Sequence, residues 1–169
     1  CPWRKGDVYI VPNAAEPFEG IHVNQNQDTP KRLEGISHPI IGYTGNFSSR
    51  FDVELVGYLS KRHPEWNFVF IGSTSIDDRI MTLKDRENIH IMGVVPYDEL
   101  PQYIENFDVA IMPHVENKQS ASMNPLKLFV YSLYRKPIVT SSVSNIEEVE
   151  PLARIANNKK EFEKMFKYS

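Results

Sequence analysis

The sequence has a single cysteine, no long hydrophobic run and little excess charge, and each of these absences excludes a class of protein. Cys1, the only cysteine among 169 residues, excludes an internal disulfide and a cysteine-based zinc cluster. No apolar run approaches the roughly 18 to 20 residues that a membrane-spanning helix needs. The formal net charge of −3 is too small to attract a polyanion, so we expect no nucleic-acid partner.

Several catalytic motifs are missing as well. The five histidines form no HExxH pattern, and neither a DxD acidic triplet nor a GxSxG or GxGxxG motif occurs. We therefore expect no metal site and no serine nucleophile elbow. A flavodoxin-like or dehydrogenase domain is disfavoured because no GxGxxG motif opens the first turn between a strand and a helix.

An alternation of strand-like and helical patterns fills the chain after residue 39. Five apolar runs predict strands, at residues 39–44, 68–71, 89–92, 109–112 and 137–140. Apolar spacing near 3.6 predicts helices at residues 51–62, 97–107, 125–134 and 158–168. Asp98 and Asn124 are candidate caps for the second and third helices. This alternation predicts an α/β, Rossmann-like fold, in which helices flank a parallel β-sheet.

The first 39 residues differ in sequence pattern from the rest of the chain. Residues 8–11 form the only strand-like run there, and residues 24–37 are predicted to be an irregular connection. We assign residues 1–39 to an interdomain segment with an N-terminal strand or linker, and residues 40–169 to one Rossmann-like domain. Because no initiating Met and no signal peptide precede Trp3, the chain is expected to be part of a longer protein.

The segment Ser122–Tyr131 predicts a phosphate-binding site. Polar residues and a proline open an amphipathic helix near Asn124, so free backbone N–H groups and the positive end of the helix dipole face the preceding loop. Lys127 lies one turn into this helix. An anion such as a pyrophosphate is therefore expected at the start of the helix, near Ser122, Met123 and Leu126.

A second candidate segment, Gly42–Arg50, follows the first strand of the parallel set. In doubly wound folds this turn meets the ligand, and Gly45 would let the backbone of Asn46 approach a phosphate. Arg50 could hold a diphosphate through its planar guanidinium. From the residues alone, a turn glycine and a solvated arginine remain the alternative.

These segments resemble the nucleotide-sugar half of retaining glycosyltransferases with the GT-B architecture, which is built from two Rossmann-like domains. The resemblance covers residues 8–142. It includes NPLKLFVY at 124–131, NIHIMGVVPYDELP at 88–101, DVAIMP at 108–113 and VPNAAEPF at 11–18. Where that family carries a second glutamate, which binds the ribose hydroxyls, this chain has Val130, and Ser122 stands at the place of the first. Each missing charge-assisted hydrogen bond is worth very roughly 1.5–3 kcal/mol.

The resemblance implies a donor site with a defined layout. Gly45, Asn46, Arg50 and the segment 122–127 would contact the diphosphate of a UDP- or GDP-sugar. The backbone of Val94 and Val95 would read the nucleobase, and Val130 would face the ribose. No metal and no further cofactor are implied, and no catalytic residue can be assigned.

The resemblance also implies a role for the whole protein. It would be a cytoplasmic hexosyltransferase of bacterial polysaccharide or glycoconjugate biosynthesis, and peripheral association with the inner face of the membrane is left open. An absent N-terminal domain would supply the acceptor site, so this chain alone would bind the donor without catalysis. The alternative is a degenerate, non-catalytic α/β domain that serves as an assembly or interaction module. Ala14, Ala15 and Val130 favour this alternative, whereas Gly45 and Lys127 oppose it.

Overall fold

The structure, a computed structural model, describes residues 29–115, 126–142 and 152–166. These residues form a six-stranded parallel sheet and four α-helices. The strands are β1 Ile40–Thr44, β2 Asn67–Ile71, β3 Ile89–Gly93, β4 Val109–Met112, β5 Ile138–Ser141 and β6 Arg154–Ala156. The helices are α1 Val53–Arg62, α2 Leu100–Glu105, α3 Leu126–Leu133 and α4 Lys159–Met165. Two short 3₁₀ segments occupy Lys31–Leu33 and Arg79–Leu83.

The strand order β3-β2-β1-β4-β5-β6 places β1 at the centre of the sheet. On one side Ile41 pairs with Phe68 of β2, and on the other side it pairs with Val109 of β4. The chain winds outward in one direction as far as β3 and then returns to the other side at β4. In such sheets the crevice at the carboxyl ends of the strands, where the order reverses, is the usual place for a ligand.

The sheet separates two apolar layers. On one face α1 and α4 pack against alternate residues of β1 and β2, such as Ile41 and Phe68. On the other face α2 and α3 pack against the intervening residues, such as Ile40 and Val69. The central strands β1, β2 and β4 are thus buried on both sides, which explains why each reads as a continuous apolar run and not as an alternating one.

Polar side chains begin two of the helices. Asp52 Oδ1 accepts a hydrogen bond of 2.8 Å from the Leu55 N–H at the start of α1, and Asn158 Oδ1 accepts from two N–H groups of α4. The prediction that Asp98 caps α2 is wrong, because the helix begins at Leu100 and no side chain caps it. The predicted cap Asn124 lies outside the described residues.

The five predicted strands and four predicted helices are confirmed, with shorter bounds at several ends. The sequence did not predict β6, which has three residues and an exposed Arg154. The predicted strand at residues 8–11 lies outside the described residues. In the described part of the chain, no helix is long and apolar enough to cross a membrane.

Candidate functional site

A cavity of about 280 Å³ lies at the carboxyl ends of β1, β2 and β3, beside the start of α3. It brings together seven residues that the sequence predicted for one site, namely Gly45, Asn46, Val94, Val95, Leu126, Lys127 and Val130. The remaining described lining residues are Thr44, Ile71, Gly72, Tyr97 and Leu100. The predicted site residues Ser122, Met123 and Asn124 lie outside the described residues.

Lys127 carries the positive charge of this cavity. Its Nζ donates a 2.8 Å hydrogen bond to Tyr43 Oη and lies 4.2 Å from the centroid of the Tyr43 ring. Burial, and after it the nearby positive charge of Arg50, lowers the pKa of Lys127 to about 7. A negatively charged ligand would reverse this effect, because an opposite charge favours the protonated amine.

Gly45 gives Lys127 the space that it occupies. The Gly45 backbone has φ +133°, and a Cβ atom at this position would overlap Lys127 Nζ. The Gly45 N–H donates a 2.7 Å hydrogen bond to the carbonyl of Ile71, which fixes the loop against the end of β2. A glycine is therefore needed here both for its backbone conformation and for the close approach of the lysine.

Aromatic packing holds the loop that follows β1. Phe47 and Phe51, both buried, lie with their ring centroids 4.9 Å apart in an edge-to-face arrangement. Both rings also contact Tyr43 of β1 and Phe70 of β2. This cluster anchors the loop at two points, so Gly45 and Asn46 are presented to the cavity by a packed support.

Arg50 does not line the cavity. Its side chain is partly buried, and its Nε lies 3.4 Å from Ser48 Oγ. The residue is close enough for its charge to lower the pKa of both Lys127 and His114. Arg50 therefore affects the site through its positive charge, and the structure does not place it against a ligand in this cavity.

His114 lies just beyond β4, next to Tyr43. It is buried, its ring is edge-on to that of Tyr43, and its Nδ1 has no hydrogen-bond partner among the described residues. Burial lowers the pKa of His114 to about 3, with Lys127 and Arg50 adding to the effect. The imidazole is therefore neutral near pH 7, and it contributes no positive charge to the site.

The rim of the cavity is apolar. Val94 is 71% exposed, Tyr97 72% and Leu126 49%, which is unusual for side chains of this kind. Gly93, with φ +67°, turns the chain after β3 so that Val94 and Val95 border the opening. A basic interior with an apolar rim suits a ligand that has one anionic part and one flat apolar part.

Val130 lies on the wall between the cavity and the core. It is partly buried, packs against the apolar layer beneath α3, and also lines the cavity. The adjacent Tyr131 is fully buried, and its Oη accepts a 2.9 Å hydrogen bond from the Thr44 N–H. This bond ties α3 to the end of β1 and so fixes Lys127 and Val130 relative to Gly45.

Sequence reasoning missed Tyr43 and Tyr131, which lie next to predicted site residues. Both side chains appear in the sequence as ordinary apolar positions of a strand and a helix. The one signal that could have identified them is chemical, since a buried tyrosine hydroxyl usually finds a hydrogen-bond partner.

An anion in this cavity would meet no negatively charged side chain among the described lining residues. None of the described residues that line the cavity is acidic, and no group of three or more metal-binding side chains occurs in the described ranges. The positive end of the α3 dipole adds to the charge of Lys127. The fold and the site together define a parallel α/β domain with a lysine-containing cavity at the carboxyl edge of its sheet.

The chain belongs to the glycosyl transferases group 1 family, whose model matches residues 38–163. A curated relative is TuaH of Bacillus subtilis strain 168, whose name describes a glycosyltransferase of teichuronic acid biosynthesis. The two sequences are 25% identical over 145 residues, which is 85% of this chain. The chain spans 36% of the length of TuaH.

Solved structures of glycosyltransferases share the fold. AviGT4, which is involved in avilamycin A biosynthesis, superposes with a TM-score of 0.59 and 9% identity over 79% of this chain and 43% of AviGT4. GlyE of Streptococcus pneumoniae TIGR4 superposes with a TM-score of 0.55 and 19% identity over 79% of this chain and 34% of GlyE. The predicted Rossmann-like fold, as found in GT-B glycosyltransferases, is confirmed.

Proposed function

We propose that this chain is the donor-binding half of a glycosyltransferase and that it binds a UDP- or GDP-sugar in the cavity beside α3. The observation that carries the proposal is the contact between Lys127 and Gly45. A partly buried lysine lies directly against a glycine that lines the same cavity, at the edge of the sheet where nucleotides bind in this class of fold.

In this proposal each part of the donor has its own place in the cavity. The diphosphate lies against Lys127, the start of α3 and the backbone of Gly45 and Asn46. The nucleobase lies against the apolar rim at Val94 and Val95, whose backbone groups read its edge. The ribose faces Val130, which offers an apolar contact in place of a carboxylate.

The same groups would assist the transfer step. As the bond between the sugar and the diphosphate breaks, negative charge builds up on the departing diphosphate. Lys127 and the dipole of α3 stabilise that charge, and they stabilise it more in the transition state than in the bound donor. This arrangement takes the place of a divalent ion.

The remainder of the enzyme is part of the proposal. We propose that the chain is part of a longer protein, consistent with its match to 36% of the length of TuaH, and that an N-terminal domain of that protein supplies the acceptor site. The name of TuaH, a glycosyltransferase of teichuronic acid biosynthesis, supports a role in bacterial polysaccharide or glycoconjugate biosynthesis. Transfer of a hexose-type sugar, in the cytoplasm or at the inner face of the membrane, completes the proposal. The chain alone binds the donor and does not catalyse transfer.

The second candidate function is that of an assembly or interaction module, a non-catalytic α/β domain that no longer binds a ligand. Val130 favours it, because this residue packs against the core at the place where a donor-binding relative carries a glutamate. The two candidates differ in one measurable property. Only the donor-binding domain retains affinity for a nucleoside diphosphate.

Calorimetric titration of the chain with UDP, GDP and their sugars tests the proposal. We expect at least one of the four ligand types to bind with a dissociation constant below about 1 mM, the range in which substrates usually act. Failure of all of them to bind a folded chain at millimolar concentration would contradict donor binding and favour the assembly module.

A further inference from the structure

We propose that Tyr43 sets the position of Lys127 and that binding of a diphosphate beside Lys127 is coupled to uptake of one proton by its amine. The inference rests on the proposed function only in that the anion is taken to be a diphosphate. It assigns a positioning role to Tyr43, and it makes the site selective for an anion and a proton together.

Tyr43 is a rigid support for the lysine. It is 1% exposed, and its ring packs against Phe51 with centroids 4.9 Å apart and against Phe47 at 5.5 Å. Its Oη accepts the hydrogen bond from Lys127 Nζ and lies 3.4 Å from the backbone carbonyl of Asn46. The lysine amine is thus held over the loop that the diphosphate would contact.

Burial and Arg50 disfavour the charge of the amine. Arg50, in the loop after β1, and His114, just beyond β4, are the titratable groups coupled to it, while Tyr43 of β1 accepts its hydrogen bond. Burial and then Arg50 lower the pKa of Lys127, and no carboxylate in the described residues opposes them. Burial raises the pKa of Tyr43, so its phenol stays protonated and offers no counter-charge.

A diphosphate changes this balance. An opposite charge within about 4–6 Å favours the protonated form of an amine. A proton from solvent therefore adds to the lone pair of Nζ as the anion binds, and no other bond is made or broken. By linkage, an anion that raises the pKa of Lys127 must also bind more tightly to the protonated amine than to the neutral amine. Both effects measure the same interaction between the anion and the charged amine.

The direct test follows the Lys127 Cε and Hε NMR signals against pH, with and without inorganic pyrophosphate. The signals are assigned by their loss in Lys127→Met. We expect a titration midpoint near 7 without the anion, and a midpoint at least about one pH unit higher with it, which corresponds to about tenfold in affinity. A midpoint near 10 under both conditions, or one that pyrophosphate does not move, would overturn the proton coupling.

The role of Tyr43 is tested by Tyr43→Phe, with Tyr58→Phe as a matched control on the outer helix α1. Loss of one hydrogen bond to a charged group predicts about a tenfold weaker affinity for pyrophosphate in Tyr43→Phe and no change in the control. We also expect the Lys127 midpoint to move in Tyr43→Phe, which a purely structural role would not cause. Equal pyrophosphate affinity in Tyr43→Phe and wild type would refute the positioning role.

These outcomes are separate from the proposed function. If pyrophosphate shifts the midpoint but neither UDP nor GDP binds, the coupling stands and donor binding fails. If UDP or GDP binds and the midpoint stays unmoved, donor binding stands and the coupling fails. The midpoint is measured on the wild-type protein, so this part of the test does not depend on the folding of Tyr43→Phe.

Discussion

Replacing Lys127 with methionine should stabilise the fold at neutral pH while it removes phosphate binding. Methionine is similar in length and carries no charge, so it keeps the contact with Gly45 and Tyr43. The amine, by contrast, has a pKa lowered from an ordinary 10.5 to about 7. Between these two values the unfolded chain binds the proton and the folded chain releases it. This group therefore destabilises the folded state, and the effect grows as the pH falls from 10 toward 7.

The size of the effect follows from the two pKa values. The linkage relation gives a penalty of about 4 kcal/mol at pH 7 and about 1.5 kcal/mol at pH 9.5, both as upper limits. Solvent at the partly exposed lysine reduces both figures. Loss of the hydrogen bond to Tyr43 Oη costs the variant about 1 kcal/mol at either pH. We therefore expect Lys127→Met to gain roughly 1–2 kcal/mol at pH 7 and close to nothing at pH 9.5.

Urea denaturation of both proteins at pH 7 and pH 9.5 measures the two differences. The exposed Lys84 provides a control, because Lys84→Met should leave the pH dependence of unfolding unchanged. A Lys127→Met variant that is less stable than wild type at pH 7, and whose free energy of unfolding has the same pH dependence, would refute the reasoning that the folded state disfavours the charged form of Lys127.

Three further predictions concern the wall, the loop and the charge of the site. Val130→Glu should tighten UDP or GDP binding about tenfold by supplying a carboxylate to the ribose, at about 1 kcal/mol of stability without ligand; a large fall in melting temperature that no nucleotide rescues would instead place Val130 in a closed core. Gly45→Ala should weaken UDP binding and should destabilise the fold more than the control Gly35→Ala. Both glycines have positive φ, but only at Gly45 would the added Cβ meet Lys127. Equal effects of the two variants in denaturation and in calorimetry would oppose this. EDTA should leave nucleotide affinity unchanged in a titration, because Lys127 and α3 balance the phosphate charge, and a marked loss would point to a metal.

The fold could be predicted from the sequence because its strands are buried on both faces. Each central strand must then be a short, continuous apolar run, and the runs at 40–44, 68–71 and 109–112 are hard to mistake. The edge strand β6 carries no such run, since one of its neighbours is solvent. The expected Asp98 cap failed because α2 begins at Leu100, which puts Pro101 at the very start of the helix, nearer the first helical position that proline prefers than a start after Asp98 would.

The site was predictable in outline but not in its supporting contacts. Glycines, a helix start and a lysine at suitable spacing indicated where an anion would bind, and seven of these residues line one cavity. Arg50 lies beside the buried Phe51, at the end of the loop away from Gly45, and does not line the cavity. Lys127 contacts Tyr43 where α3 passes the end of β1. These two residues are 84 positions apart in the chain, so no local sequence pattern could predict their contact.

The central claim is that Lys127 holds the diphosphate of a nucleotide donor. Calorimetric affinities of wild type, Lys127→Ala and the control Lys84→Ala, for UDP and GDP and for the bare nucleosides uridine and guanosine, test it most directly. We expect Lys127→Ala to weaken binding of the nucleoside diphosphate about tenfold or more, the loss of a charge-assisted hydrogen bond, while binding of the matching nucleoside stays within about twofold. An equal loss for diphosphate and nucleoside, or no loss for either, would contradict the claim.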